Sequence, residues 1–344
     1  MVPKADQRYT NIAITSVEHA HAPIVVTSDE IDAQLAGSYE RLHAAPGLLQ
    51  SLAGIHERRF WEEGVLPSDA AALAGEKAIE VSGIDRGDIG IIINTSVCRD
   101  YIEPSTASIV HGKLGLPDTA LNFDVGNACL GFLNGMTIVA AMLERGEIDH
   151  GLIVNGEGSR VAVESTIERL NGDTATPEMF REQFATLTLG SGAVAMVMSR
   201  GDLVESPHRF IGGLSRANTQ HNQLCVGQPD EMRTDTAGLL RAGLDLAKET
   251  WQEAFSKFAF QDETVDMYAI HQISQVHTQA VSDLLELDSD KVPRIFPTFG
   301  NTGPASVPML LSMQDDLGRI SESDRVILMG MGSGINAAAY ELIW

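Results

Sequence analysis

Cys129 stands where a cysteine could serve as a nucleophile. It follows a strand-like run, Leu121–Val125, and opens a helix of small and apolar residues. The amide groups and the dipole at a helix start favour an anion, so this position predicts a lowered thiol pKa and a reactive thiolate. A buried structural cysteine fits the position equally well. Cys98 and Cys225 lack this strand-to-helix setting, and we expect both to be inert.

Two further side chains could act with this cysteine. His271 ends an apolar strand, Val265–Ile270, at the edge where α/β proteins place their sites. Asn301 lies in a glycine-rich turn that leads into a small-residue helix. Either residue alone fits a structural role as well. If the fold brings both to Cys129, one pocket would hold a nucleophile and two polar groups able to bind a thioester oxyanion.

An internal repeat predicts how these residues meet. Three elements of the first half recur in the second at separations of 177, 174 and 175 residues: Ile91–Asn94 as Tyr268–His271, Gly126–Cys129 as Gly300–Gly303, and Leu152–Val154 as Ile327–Met329. The nearly constant offset indicates a duplicated βα unit, which places the two turns opposite each other across a pseudo-twofold axis. Chance likeness between buried apolar strands is the alternative. We predict an N-terminal half, residues 1–200, with the cysteine, and a C-terminal half, residues 201–344, with the histidine and the asparagine.

The elements that must position these residues follow an α/β pattern. Short β-branched runs alternate with Ala- and Leu-rich stretches, as in a largely parallel sheet with helical connections. Ile89–Asn94 and Gly151–Asn155 are predicted as buried strands, and residues 67–83 and 130–144 as helices. A polar, helix-like insertion, residues 159–184, interrupts the first half. It is either a cap over a substrate channel or a surface decoration.

The composition excludes several classes of protein. With 24 Lys and Arg against 47 Asp and Glu, the formal charge is −23, so binding to nucleic acid or to a membrane surface is not expected. No apolar run reaches the roughly 18–20 residues of a membrane span, and the start, Met1–Tyr9, is too polar for a secretory signal. We therefore expect a cytoplasmic protein. Three cysteines without a CxxC pair, and His277 six residues after His271, argue against a metal site.

The order of these motifs resembles the thiolase superfamily. A cysteine at a helix start, a histidine at a strand end, an asparagine in a GN-x-GPAS turn and a terminal Gly-x-Gly-Ser-Gly strand are similar to its ketoacyl-ACP synthase III branch. Within that branch the chain most resembles OleA-type enzymes, along stretches that span nearly its whole length: residues 54–59, 94–108, 127–130, 142–149 and 300–308. The resemblance implies an α/β thiolase fold with five layers, αβαβα, built from two pseudo-duplicated halves.

The same resemblance implies an activity. OleA-type enzymes join two long-chain acyl-CoA thioesters head to head, without decarboxylation, to a β-keto acid that feeds olefin synthesis. Cys129 would form the acyl-enzyme, and His271 and Asn301 would bind the enolate oxygen. Backbone amides at Cys129 and at the turn of Ser333 and Gly334 would form the oxyanion hole. Long-chain acyl-CoA would be the substrate, no cofactor would be needed, and olefin-pathway enzymes would act downstream.

The resemblance also implies a base and a site for coenzyme A. Glu103 matches the family's glutamate, on a loop that reaches the active site of the partner subunit in a homodimer. Burial near an apolar channel would raise its pKa and suit it to proton abstraction. Without the resemblance, a solvated loop carboxylate is the simpler interpretation. Arg58 and Arg59 are expected to meet the phosphates of coenzyme A, although the tryptophan-centred motif that stacks on its adenine in synthase III is missing.

Three other functions stay open. A decarboxylating ketoacyl-ACP synthase III, which uses malonyl-ACP, needs no dedicated base, so Glu103 argues against it. An acyl-CoA thioesterase would let water intercept the acyl-cysteine and would release only fatty acid. A non-catalytic subunit that binds acyl chains would not need Cys129, His271 and Asn301 together.

Overall fold

The computed structural model describes residues 6–258 and 264–344, so the first five residues of the polar start lie outside the described residues. The strands are β1 (Asp6–Arg8), β2 (Ile12–His21), β3 (Ile24–Thr27), β4 (Glu57–Phe60), β5 (Ile89–Asn94), β6 (Leu121–Asp124), β7 (His150–Glu157), β8 (Gly192–Arg200), β9 (Arg209–Ala217), β10 (Cys225–Gly227), β11 (Met232–Thr234), β12 (Met267–Ile270), β13 (Arg325–Gly332) and β14 (Asn336–Ile343). The helices are α1 (Ser28–Leu35), α2 (Tyr39–Leu42), α3 (Leu48–Ser51), α4 (Pro67–Ser82), α5 (Thr106–Leu114), α6 (Gly131–Glu144), α7 (Arg160–Asn171), α8 (Pro177–Gln183), α9 (Thr236–Phe258), α10 (Gln275–Leu285), α11 (Phe296–Phe299) and α12 (Ser306–Asp316). Within the described ranges, no helix combines the length and the apolar composition needed to cross a membrane.

The main sheet has two arms that share a four-strand pattern, β5-β7-β8-β2 in the first arm and β12-β13-β14-β9 in the second. In the first arm the order is β6-β5-β7-β8-β2, with β5 parallel to β6 and β7 and the other neighbours antiparallel. In the second arm the order is β12-β13-β14-β9-β1, with β12 parallel to β13 and the other neighbours antiparallel. The arms join where Ala13 of β2 pairs with Arg209 of β9. Strands β6 and β1 have no counterpart in the other arm. The division of the chain into halves near residue 200 stays a prediction.

The layers follow from the alternation of side chains along each strand. Ile92 packs with α4 and α5 on the outer side of the first arm, whereas Ile91 and Ile93 face a central cluster that contains α6 and α12. In the second arm Tyr268 packs with α9 and α10, while Ala269 faces the same central cluster. Three helical layers therefore enclose two sheet layers. The predicted arrangement of five layers, αβαβα, is confirmed.

Most predicted elements lie where the sequence pattern indicates. The first predicted strand is β5 in full, and the second lies inside β7, whose eight residues are all buried. Helix α4 begins at Pro67, and α6 begins one residue after its predicted start. Residue 271 follows β12 directly, and residue 129 lies just before α6. The two candidate side chains therefore occupy a strand end and a helix start, as predicted.

The insertion and an N-terminal segment pack around an apolar cluster of their own. Residues 159–184 contain α7 and α8, as their composition predicts. These helices pack with α1 and α2 around an apolar cluster that includes Ile31, Leu42, Val163 and Phe180. The sequence pattern does not indicate α2, α3, β3 or β4, because elements of four residues are too short to show a period.

Candidate active site

Cys129 lies in a sharp turn between β6 and α6. The preceding residue, Ala128, has a φ of 45°, in the left-handed region that residues other than glycine rarely adopt. The start of α6 lies very close to the end of β5. A Cβ atom on Gly131 would lie 2.7 Å from the carbonyl oxygen of Thr95. Only glycine fits that approach. The turn therefore fixes the cysteine side chain at the N-terminal end of α6.

A second turn, after β13, closes on the cysteine. A Cβ on Gly332 would lie 3.3 Å from the amide nitrogen of Cys129 and 3.2 Å from that of Leu130. The Cys129 amide faces its own sulfur. Ser333 and Gly334 follow Gly332 in this turn. The structure thus brings the segment predicted to complete the oxyanion hole next to the candidate nucleophile.

The environment of the thiol opposes the lowered pKa that a helix start predicts. Part of Cys129 is accessible, but its sulfur is surrounded by protein. This burial, together with repulsion from Cys225 and Glu157, raises the pKa of Cys129 to about 12, against the favourable effect of its own amide. The prediction of a lowered thiol pKa is therefore wrong for the resting protein. The thiol proton of Cys129 must therefore leave while the sulfur attacks the substrate.

This environment predicts a steep pH dependence for alkylation of Cys129. Because the thiolate is the nucleophile, labelling by iodoacetamide should accelerate about tenfold per pH unit from about pH 7 to 10, without a plateau. Peptide mass spectrometry separates Cys129 from Cys98 and Cys225. A plateau below about pH 9 would mean that the helix start outweighs burial.

His271 follows the last residue of β12 and is 3% exposed. Its amide donates to the carbonyl of Met329 (2.7 Å), which lies three residues before Gly332 on β13. Neither ring nitrogen has a hydrogen-bond partner among the described residues. Burial, and then the neighbouring His277, lower the pKa of His271 to about 3. The ring is therefore neutral at pH 7 and can donate from one nitrogen.

Asn301 lies in the turn between α11 and α12. Its amide donates to the carbonyl of Thr188 (2.9 Å), and its carbonyl accepts from the amide of Gly190 (2.9 Å). Gly300 has a φ of 66°, and a Cβ there would lie 2.6 Å from the Thr188 oxygen, so glycine is required. The side-chain oxygen of Asn301 accepts from the amide of Gly303 (3.0 Å). The NH₂ group of the Asn301 side chain is therefore the part that can donate a hydrogen bond to a substrate oxygen.

Gln272 is a buried residue that sequence analysis missed. Its side-chain oxygen accepts from the amides of Ile295 (2.8 Å) and Phe296 (3.2 Å). Gln272, which directly follows His271, is thereby hydrogen-bonded to the segment that leads into the Asn301 turn. The available signal was a long polar side chain directly after a buried strand, where an unpaired amide would be costly.

Glu157, at the end of β7, was also missed and is 4% exposed. Its carboxylate accepts from the amides of Val97 (2.8 Å) and Cys98 (3.2 Å). Burial raises its pKa to about 7, against the effect of these hydrogen bonds. The carboxylate acts electrostatically on Cys129, and a Cβ on Gly303 would lie 3.8 Å from its carboxyl carbon. The available signal was its place at the carboxyl end of a buried strand.

Glu103 is exposed in the loop between β5 and α5. Its neighbours Tyr101 and Ile102 are 56% and 98% exposed, which is a large uncovered surface for apolar side chains. The single chain does not bury Glu103 beside an apolar channel. The burial expected of the base is therefore not provided by the single chain.

Arg58, on β4, is fully buried and donates to the hydroxyl of Ser28 (3.1 Å) and to the carbonyl of Leu187 (3.1 Å). Burial lowers its pKa to about 10. With no exposed surface, it cannot meet the phosphates of coenzyme A, so that prediction is wrong for Arg58. The adjacent Arg59 is partly exposed and pairs with Glu57 (3.2 Å).

Arg58 should instead contribute to stability. We expect Arg58→Met to lower the free energy of unfolding by about 2–4 kcal/mol, because the Leu187 carbonyl loses its donor in the interior. Arg59→Met, the matched neighbour with an ion pair near the surface, should cost less than about 1 kcal/mol. Urea denaturation measures both changes. Equal losses in the two variants would contradict the structural role of Arg58.

A small apolar cavity of about 30 Å³ adjoins His271. It lies between the second arm of the sheet and the helices α9 and α10, where Trp251, Ile270, Val281 and Met329 line it. In residues 6–258 and 264–344 no three His, Cys, Asp or Glu side chains are placed to hold a metal ion.

A cysteine at a helix start within a five-layered α/β fold defines a condensing enzyme of the thiolase type. Residues 256–344 match the family described as 3-oxoacyl-[acyl-carrier-protein (ACP)] synthase III C terminal. The chain is 47% identical over 336 residues to the acyl-CoA:acyl-CoA alkyltransferase of Xanthomonas campestris, across 98% of this chain and 99% of the relative. It is 35% identical over 349 residues to that of Shewanella oneidensis, across 98% and 100%. The chain belongs to the acyl-CoA:acyl-CoA alkyltransferase (OleA) family.

Solved structures agree with this assignment. The crystal structure of cerulenin-bound Xanthomonas campestris OleA superposes with a TM-score of 0.97 at 46% identity and covers 100% of both chains. A cysteine-to-serine variant of that protein, with bound lauric acid and lauroyl-CoA, gives a TM-score of 0.96 at 46% identity, over 98% of this chain and 100% of the other. The family and the fold implied by the sequence resemblance are confirmed.

Proposed function

We propose that this protein condenses two long-chain fatty acyl-CoA thioesters head to head, without decarboxylation, to a β-keto acid for olefin synthesis. The observation that carries the proposal is the turn that places Cys129 at the start of α6. Gly332 lies next to the amide of Cys129, and His271 is hydrogen-bonded to β13 at the end of the neighbouring strand β12. The acyl-CoA:acyl-CoA alkyltransferase activity of the two relatives supports it, as does the solved relative with bound lauroyl-CoA.

Variants of the solved relative support three of the assignments. Crystal structures of Xanthomonas campestris OleA include replacements of a glutamate, a cysteine and a histidine. In that protein the glutamate lies 26 positions before the cysteine, and the histidine lies 142 positions after it. Glu103, Cys129 and His271 have the same separations. We assign to them the roles of base, nucleophile and enolate-binding group.

In the first half-reaction the sulfur of Cys129 attacks the thioester carbonyl of one acyl-CoA. Because the resting pKa is about 12, the thiol proton leaves as the new carbon–sulfur bond forms. The amides of Cys129 and of the Ser333 and Gly334 turn stabilise the oxyanion. Coenzyme A departs as a thiol that carries the transferred proton, and the acyl group stays on Cys129.

In the second half-reaction Glu103 of the partner subunit removes a proton from the carbon next to the carbonyl of another acyl-CoA. Neutral His271 and the NH₂ group of Asn301 donate to the enolate oxygen. The enolate carbon attacks the acyl-enzyme carbonyl, the new carbon–carbon bond forms, and the sulfur of Cys129 leaves and regains a proton. Water then cleaves the remaining CoA thioester and releases the β-keto acid.

Two surfaces support a homodimer. Strand β6 ends the main sheet, and its side chains Leu121 and Phe123 are 51% and 38% exposed. An exposed apolar edge strand is a ready surface for another strand. The loop with Tyr101 and Ile102 presents further uncovered apolar area. A second copy that pairs along β6 would cover both surfaces and receive Glu103.

Further parts of the proposal concern the surroundings of the site. Arg59 is the remaining basic candidate for coenzyme A, since its guanidinium lies 5.5 Å from the ring centre of Phe299, two residues before Asn301. The insertion with α7 and α8 helps to line an acyl channel. The protein is cytoplasmic, and its product passes to enzymes of an olefin pathway.

A single-substrate assay tests the proposed function. Purified protein receives one long-chain acyl-CoA and no malonyl donor, while coenzyme A release is followed and lipid products are analysed by mass spectrometry. The expected product is the β-keto acid, or the ketone that it becomes by losing carbon dioxide. Fatty acid alone would identify a thioesterase. Acyl-Cys129 that turns over only with malonyl-ACP would identify a decarboxylating synthase.

A further inference from the structure

The loop that carries Glu103, here termed the base loop (residues 95–105), starts at a buried carboxylate. One oxygen of Glu157 accepts from the amide of Val97 (2.8 Å), and the other accepts from the amide of Cys98 (3.2 Å). Hydrogen bonds to a charged acceptor are stronger than those between neutral groups. The start of the base loop is thereby fixed to the end of β7.

The far end of the base loop is held in the same way. Asp124, at the end of β6, accepts from the amides of Thr106 (3.0 Å) and Ala107 (2.8 Å) at the start of α5. The exposed tip with Glu103 lies between the two anchors. The position of the tip therefore depends on both carboxylates.

Glu157 also lies near the active site of its own chain. In the described part of the chain, backbone amides rather than a lysine or arginine satisfy its carboxylate. A buried carboxylate without a cation is unfavourable unless such donors stay in place. A Cβ on Gly303 would lie 3.8 Å from the carboxyl carbon, and the carboxylate acts electrostatically on Cys129. Glu157 thus lies between the active site of its own chain and the base loop.

We propose that Glu157 is the positioning residue for Glu103 of the same chain, and therefore governs condensation in the partner subunit's active site rather than acylation in its own. This inference rests on the proposed function, in which Glu103 is the base across the dimer interface. In Glu157→Gln the side chain keeps its size and one acceptor oxygen, but its NH₂ group cannot accept the second amide. The start of the base loop loses one of its anchors.

A hybrid dimer separates the two active sites. One chain carries Cys129→Ala and supplies Glu103, and the other carries Glu103→Gln and supplies Cys129, so that a single site is complete. A different affinity tag on each chain allows the hybrid to be purified. Its rate of condensation, with one long-chain acyl-CoA as substrate, is the reference.

Glu157→Gln is then added to one chain at a time. On the chain that supplies Glu103, we expect condensation to fall about tenfold or more, because a small misplacement of a reacting group is costly. Acylation of Cys129, measured by intact-protein mass spectrometry, should stay within about twofold of the reference when the change is on the chain that supplies Glu103. On the chain that supplies Cys129, the change also removes a charge that raises the pKa of that thiol, so neither acylation nor condensation should slow there. Glu147→Gln, a change at an exposed carboxylate, is the matched control.

The outcomes separate this inference from the proposed function. Three results would overturn the role of Glu157: an equal loss of condensation from both placements, a loss confined to the chain that supplies Cys129, or no loss at all. A reference hybrid that does not condense would overturn the proposed role of Glu103, and with it this inference. If Glu157→Gln does not fold, Asp124→Asn in the same two placements weakens the other anchor, and the same asymmetry is expected.

Discussion

Replacing Cys129 with alanine should abolish both the acyl-enzyme and the β-keto acid. We expect condensation to fall by at least about 10⁴-fold, because Cys129 is the group assigned to carry the acyl chain between the half-reactions. Cys225→Ala is the matched control. The Cys225 thiol is near enough to raise the pKa of Cys129, but it lies on β10 and accepts a hydrogen bond from the hydroxyl of Thr234 (3.4 Å). The control should keep its acyl-enzyme.

Mass spectrometry of the intact protein, after incubation with one long-chain acyl-CoA, checks this expectation. The unmodified protein and the Cys225→Ala control should each gain one acyl group, and the Cys129→Ala protein should gain none. An acyl group on Cys98 or Cys225 in the Cys129→Ala protein would contradict the assignment of the nucleophile. Sustained condensation in that protein would contradict it as well.

The fold could be predicted from sequence because its signals are local and repeated. Buried strands such as β5 and β7 are continuous apolar runs, and Pro67 begins α4 where a proline is well tolerated. The constant offset between the halves relates strands that are far apart in the chain. A repeat of this kind carries tertiary information that a single strand does not.

The electrostatics of the site could not be predicted in the same way. The helix start at Cys129 is a local feature, but the desolvation that raises its pKa comes from surrounding residues distant in sequence. Nothing in the local sequence distinguishes Arg58 from an arginine on the surface. Its burial follows from the fold, which brings the hydroxyl of Ser28 and the carbonyl of Leu187 to its guanidinium group. Glu157 became visible only when the fold placed its carboxylate against the base loop.

Replacing Glu103 with glutamine should separate the two half-reactions. Acylation needs Cys129 but no base for the α-carbon, so the acyl-enzyme should form at a normal rate and accumulate. Condensation should fall about 10²–10⁴-fold, because an amide cannot take the proton that a carboxylate takes. Glutamine keeps the size of the side chain, so contacts of the base loop with a second chain should persist. Normal condensation would remove the base assignment.

A mixture of two inactive proteins shows in which subunit Glu103 acts. The Cys129→Ala protein lacks the nucleophile, and the Glu103→Gln protein lacks the base. If chains of an equal mixture exchange at random, half of the dimers hold one complete site, and about a quarter of the unmodified activity should return. If Glu103 served its own chain, no chain would hold both groups, and activity would stay absent. Recovery would also account for Ile102, 98% exposed beside Glu103, because a second chain would cover it.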